Sequence, residues 1–212
     1  TLRKNRLFAG VKASHKCFSL FKVQLWMLPR ICSLTTILTL HAAAILNNSR
    51  AYIFAASTGS GKTTLTAYLS ESGCGYISDD ETRIDMTSLC VHSAPKPLHL
   101  REESLPILRD YGIDINVPVT ESESFRRIVY LPDSFVSGDF PIGGLFFISR
   151  DKSENSCEPV KPAEAVQLII QNLISPDVDM SACLHCAIKL APKCHKLVYS
   201  DMRYVKEALK NE

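Results

Sequence analysis

The segment FAASTGSGKTTL, residues 54 to 65, constrains the fold of this chain more than any other stretch. Successive backbone N–H groups can wrap an anion only where glycines allow the turns this requires. Ala56-Ser57-Thr58-Gly59-Ser60-Gly61-Lys62-Thr63 follows the phosphate-loop pattern G-x-x-x-x-G-K-[ST] at every position but the first, where alanine stands in place of glycine. The apolar run AYIFAAS before it reads as a buried strand, and KTTLTAYLSESG after it as a helix stopped by Gly73. Taken alone, the loop would pass for a Gly/Ser turn with a surface lysine; strand, loop and helix in series decide against that. Ser57, Thr58, Gly59, Ser60, Gly61, Lys62, Thr63 and Thr64 are therefore expected to bind nucleotide. The amides and the helix N-terminus would hold phosphate, Lys62 would bring a mobile cation to the outer phosphates, and Thr63 would offer a hydroxyl to magnesium. ATP and Mg2+ are the implied cofactors, although no base-recognition motif separates ATP from GTP or pyrophosphate.

A phosphate loop binds, whereas transfer needs a group that activates the acceptor. CGYIS reads as a second strand closed by Asp79-Asp80, and a helix of about three turns returns the chain so that this strand ends on the loop's edge of the sheet. One carboxylate could take the acceptor's proton and the other organise magnesium. The alternative is an Asx turn ending a strand. Two adjacent acids beside a triphosphate repel it unless a metal or a proton intervenes, which favours function.

The stretch LHAAAILNNSRAYIFAASTGSGKTTLTAYLSESGCGYISDDETRI resembles the core of HPr kinase/phosphorylase: a Leu-His pair, a short hairpin, the loop, a helix and an Asp-Asp pair. The SGKTTL ending is also similar to ATP-dependent phosphoenolpyruvate carboxykinase, a fold relative. The resemblance spans residues 39 to 84 and implies an α/β fold, an HPr kinase/phosphoenolpyruvate carboxykinase-like P-loop domain with a mixed central sheet and flanking helices. It implies Asp79 as the catalytic base, Lys62 at the transferred phosphate, Thr63 at the metal, and His41 as an active-site histidine, which leaves Asp80 as the carboxylate that organises magnesium; a core histidine on a strand is the other reading of His41. The family's later glycine- and arginine-rich stretch, tied to reverse phosphorolysis, is not visible. Glu102 and Glu103 are weak candidates for a second magnesium carboxylate, and no motif singles out Arg101, Arg126 or Arg127. The chain looks most like the small stand-alone relatives, some of which phosphorylate precursor peptides, lasso peptides included. The function expected is a phosphotransferase, an HPr kinase-like serine kinase moving phosphate from ATP to a Ser or Thr hydroxyl of a small protein or peptide. A non-catalytic ATP-binding regulator and a small-molecule kinase are the alternatives.

The rest of the chain adds limits. With 212 residues and 46% hydrophobic content it reads as a single domain, residues 1–212, with a basic N-terminal segment at 1–30. A net charge of +2 gives no reason to expect a nucleic-acid partner. No run approaches the roughly 18 apolar residues of a membrane span. The best run, ICSLTTILTLHAAAIL, reads as a buried helix followed by a strand, and KVQLWML as a short strand. Early apolar stretches are broken by Lys12, Lys16 and Lys22, so no signal-peptide pattern is read and a cytoplasmic place is expected. The eight cysteines are read as reduced thiols. Cys183, Cys186, Cys194 and His195 could hold zinc, but Cys183, Cys186 and Leu190 fall at helical spacing and read as core. Further strands are expected at FRRIVYLP, GGLFFIS and KLVYS, with PDSFVSGDFPIG as a loop, and helices at ESLPILRDYG, EPVKPAEAVQLIIQNLI and DMRYVKEALK. Assembly into a homo-oligomer is left open.

Overall fold

The computed structural model describes residues 36–57, 59–116, 119–122, 125–174 and 179–209. The basic segment 1–30, the strand expected at KVQLWML and Thr58 lie outside the described residues. The chain begins with strands β1 (Ile37–Leu40), β2 (Ala42–Asn47) and β3 (Arg50–Ala55), then helix α1 (Lys62–Glu71) and strand β4 (Gly75–Ser78). Short strands follow: β5 (Thr82–Asp85), β6 (Cys90–His92) and β7 (Leu98–Leu100). Helix α2 (Ser104–Asp110) leads to β8 (Val119–Ser122), β9 (Phe125–Tyr130), the long β10 (Asp139–Arg150) and β11 (Ser156–Pro159). Helices α3 (Pro162–Gln171) and α4 (Met180–Leu190), strand β12 (Cys194–Tyr199) and helix α5 (Met202–Ala208) complete it.

The fold is mixed α/β, as expected. β3 and β12 run parallel to β10 on its two sides, while β2 is antiparallel to β3 and β4 antiparallel to β2. β4 and β3 therefore point the same way, and both end on the edge where the loop lies. The first residues of β10 pair instead with β6, which continues to β5 and β1. β7, β9 and β8 make a separate three-stranded sheet.

Both faces of the central strands are covered, which explains why AYIFA and GLFFI are continuously apolar rather than alternating. Tyr52, Phe54, Phe146 and Ile148 face a core shared with Leu65 and Leu69 of α1 and Val205 of α5. Ala51, Ile53, Leu145 and Ile142 face the opposite core, shared with Ile169 of α3 and Cys186 of α4. Phe54 stacks on Phe146 with ring centroids 5.7 Å apart. Truncating Phe54 to alanine in such a site costs about 3–5 kcal/mol.

Three expectations change. Residues 37–40, expected within a helix, form β1: Ile37 and Thr39 favour extended backbone, and burial alternates with Leu38 and Leu40 inside. The loop expected at PDSFVSGDFPIG gives way at Asp139, where Asp139-Phe140-Pro141 joins β6 as the start of β10. The start of the helix expected from EPVKPAEAV is also shorter, because Glu158-Pro159 belongs to β11 and Pro162 opens α3. The turn at Asn48-Ser49 forms as expected, both residues lying in the left-handed region (φ 48 and 63), which suits a tight hairpin. Among the described residues, no helix is long and apolar enough to cross a membrane.

Candidate functional site

The loop leaves β3 after Ala55 and enters α1 at Lys62. Gly59 (φ 86) and Gly61 (φ 91) take left-handed conformations that any other residue would adopt only at a cost of about 1–2 kcal/mol. The Ser60 amide donates to the Ser57 carbonyl at 3.2 Å, which closes the turn between them. Gly61 caps α1 without a side-chain hydrogen bond, and no acidic residue lies in the helix's first turn. The helix therefore presents uncapped N–H groups and partial positive charge toward the loop, an anion-receptive arrangement. The Ser60 hydroxyl is buried with no hydrogen-bond partner.

Lys62 is buried, 6% exposed, and its ammonium lies between two groups. His41 Nε2 is 3.2 Å away and Asp80 Oδ1 is 3.4 Å away. His41 sits in the bend between β1 and β2, fixed by its amide's hydrogen bond to the Asn172 carbonyl at 2.7 Å. Thr63, the next residue on α1, donates its hydroxyl to Asp79 Oδ2 at 2.9 Å. The two elements expected to converge, the loop's exit and the end of β4, are therefore in direct contact.

The two acids differ sharply. Asp80 is largely exposed and adopts a left-handed backbone, φ 64. Asp79 is 5% exposed, and its Oδ1 is buried with no partner. Burial first, and then the Asp80 charge, push the Asp79 carboxyl from its ordinary 3.8 up to about 6, against the pull of the Thr63 hydrogen bond and the Lys62 charge. A carboxyl poised near neutrality, hydrogen-bonded through one oxygen and unsatisfied at the other, suits proton exchange.

The Thr64 hydroxyl lies 2.8 Å from that of Ser104, at the start of α2. That contact brings the segment holding Glu102 and Glu103 alongside α1, a proximity no local pattern signals. Cys183, Cys186 and Leu190 lie in the core, as their helical spacing suggested, and Cys194 is buried there too, at the start of β12. Among the described residues, no group of histidines, cysteines and acids is arranged to hold a metal ion. Arg101 is exposed just ahead of α2.

No protein-family model matches the chain, and no curated protein matches it. Among solved structures it is similar to the HPr(Ser) kinase/phosphatase from Coxiella burnetii, at 10% sequence identity and a TM-score of 0.42, over 82% of this chain and 97% of that one.

Proposed function

We propose that this chain is an ATP-dependent kinase that phosphorylates a Ser or Thr hydroxyl on a small protein or peptide. The observation that carries the reading is the pairing of an uncapped, glycine-turned loop with a buried, proton-poised carboxylate through the Thr63–Asp79 hydrogen bond.

The donor set fits a hard divalent cation beside a polyphosphate. Its atoms, the Thr63 hydroxyl and the Asp80 carboxylate, are hard oxygens, and the neighbouring Asp79 Oδ1 is buried without a protein partner. Thr63 and Asp80 would hold magnesium, and Mg-ATP bound there would supply both the phosphoryl group and the positive charge that offsets its oxygens. The loop amides and the N-terminus of α1 bind and orient phosphate. Lys62, desolvated between His41 and Asp80, places one full positive charge at the loop's exit. Asp79 receives the acceptor's proton at its carboxylate, while Thr63 holds Oδ2 in place. His41 orients the Lys62 ammonium and accepts one of its protons in a hydrogen bond when the ring is neutral.

The test is incubation with Mg-ATP and a panel of Ser- and Thr-containing peptides, read by mass spectrometry for the phosphate increment. Transfer by the wild-type chain and none by Asp79→Asn, with nucleotide affinity retained, supports the reading. Transfer that survives in Asp79→Asn rejects the base assignment. Nucleotide binding without transfer to any peptide would replace the kinase with a regulator or a small-molecule kinase.

A further inference from the structure

Ser78 ends β4 and Thr82 opens β5, so the two residues bracket the Asp79-Asp80-Glu81 turn. Both are completely buried, at 0% exposure. Thr82 Oγ1 donates to the Ala42 carbonyl at 3.0 Å, and Ser78 Oγ lies 3.1 Å from Thr82 Oγ1. A hydroxyl has one proton to give. The Thr82 proton is committed to the carbonyl, so Ser78 must donate and Thr82 accept. The relay therefore has one direction, from Ser78 through Thr82 to Ala42.

Its end point matters. Ala42 follows His41 and pairs in the sheet with Ala55, the last residue of β3 before the loop. The relay thus ties the base of the acidic turn to the strand pair that carries both His41 and the loop. Asp80 supplies the second observation. A non-glycine residue in the left-handed region costs of order 1–3 kcal/mol and persists only where its surroundings enforce it. Its ion pair with the buried Lys62 ammonium, at 3.4 Å, tethers a carboxylate that is itself 62% exposed but sets no backbone angle. Two buried hydroxyl bonds across the mouth of the turn, together with the Leu40–Thr82 strand pairing, supply the enforcement.

We infer that Ser78 and Thr82 are positioning residues: their relay sets the placement of Asp79 and Asp80 against Thr63 and Lys62. The kinetic consequence rests on the kinase reading; the geometric one does not. The substitution Thr82→Val keeps the shape but removes the relay's centre, taking away the acceptor of the Ser78 proton and the side-chain donor to the Ala42 carbonyl. Thr82→Ser keeps the hydroxyl. Ser78→Ala removes only the first donor and serves if Thr82→Val fails to fold. Ser70→Ala, at a buried hydroxyl on α1 that has no partner, controls for loss of a core oxygen.

Two measurements are made on the full chain. In the first, kcat for peptide phosphorylation is compared with the Kd of a fluorescent ATP analogue in magnesium. Misplacing reacting groups by about 1 Å can cost on the order of 100-fold. Thr82→Val is therefore expected to lower kcat at least about tenfold while changing Kd less than about threefold, with Thr82→Ser restoring kcat and Ser70→Ala leaving it unchanged. Equal kcat in Thr82→Val and wild type, or no rescue by Thr82→Ser, overturns the proposal. In the second, the backbone amide NMR shifts of Asp80 and Thr63, neither adjacent in sequence to a substituted residue of the relay, and the His41 ring signals are followed without any acceptor. Thr82→Val and Ser78→Ala should move both sets, and Thr82→Ser and Ser70→Ala neither. Unmoved signals in the first two overturn the relay even if the chain phosphorylates peptides. Moved signals with no phosphorylation by wild type sustain it and reject the kinase reading alone.

Discussion

Thr63 Oγ1 stands 2.9 Å from Asp79 Oδ2 and donates to it, joining the first turn of α1 to the end of β4. This bond lowers the proton affinity of a carboxyl that burial raises. Thr63→Val should therefore lift the Asp79 carboxyl above its present value of about 6. In the pH profile of kcat/KM for nucleotide, which reports the free protein, activity should rise with pH through about 6, as Asp79 loses its proton. The valine variant should move that limb to higher pH, and Thr63→Ser should return it. An acid limb unchanged in the valine variant would disconnect Thr63 from the ionisation of Asp79.

Asp79→Asn should abolish transfer and stabilise the fold. A carboxyl at about 6 when folded and near 3.8 when unfolded holds its proton more tightly in the folded state. Its ionisation therefore costs stability, increasingly as pH rises from about 4 to 6 and fully above that, by about 3 kcal/mol at most. Thermal melts at pH 8 should show the asparagine variant more stable by about 1–3 kcal/mol, with the gain vanishing near pH 4. An equal gain at both pH values would contradict the burial of a charge at this position.

Gly61→Ala should weaken phosphate binding through the backbone. A Cβ there would meet the Tyr199 hydroxyl at 3.6 Å, an ordinary contact, so crowding is not the problem. The left-handed φ of 91 is, at about 1–2 kcal/mol. Titration with Mg-ATP should show affinity reduced about tenfold or more, while Ser57→Ala, on an exposed residue whose backbone carbonyl closes the turn, should bind almost as wild type.

The core thiols should be inert in the folded protein. Burial pushes the Cys186 thiol up to about 11 and that of Cys194 up to about 12, so both stay protonated at pH 8. Among the described cysteines, alkylation followed by peptide mapping should modify the half-buried Cys90 and Cys157 first, and Cys183, Cys186 and Cys194 only as the protein unfolds. A zinc chelator should leave the melting temperature unchanged.

The loop, α1 and β4 were legible because their chemistry is local. Glycines at 59 and 61, a lysine at 62, and apolar runs on either side specify the strand, turn and helix within a few residues. The short strands were not. Thr82-Arg83-Ile84-Asp85 and Cys90-Val91-His92 alternate correctly but are too brief to rise above background, and their pairing with β1 and with the start of β10 is set by distant partners. The same holds within the site. Asp79 could be placed beside the loop by counting turns, but the meeting of Thr64 with Ser104 and of Thr82 with Ala42 each span 40 residues, and hydroxyls that act across such distances leave no mark on the local pattern.

The long strand β10 belongs to both halves of the sheet system: its beginning pairs with β6 and its remainder lies between β3 and β12. A slip of one residue would exchange the side chains that face the two cores and bring Leu145 to the side now filled by Phe146. A slip in the register of either half would therefore displace the other. Denaturation should accordingly be a single concerted event, with far-ultraviolet and aromatic signals lost together and no half-folded species accumulating between them.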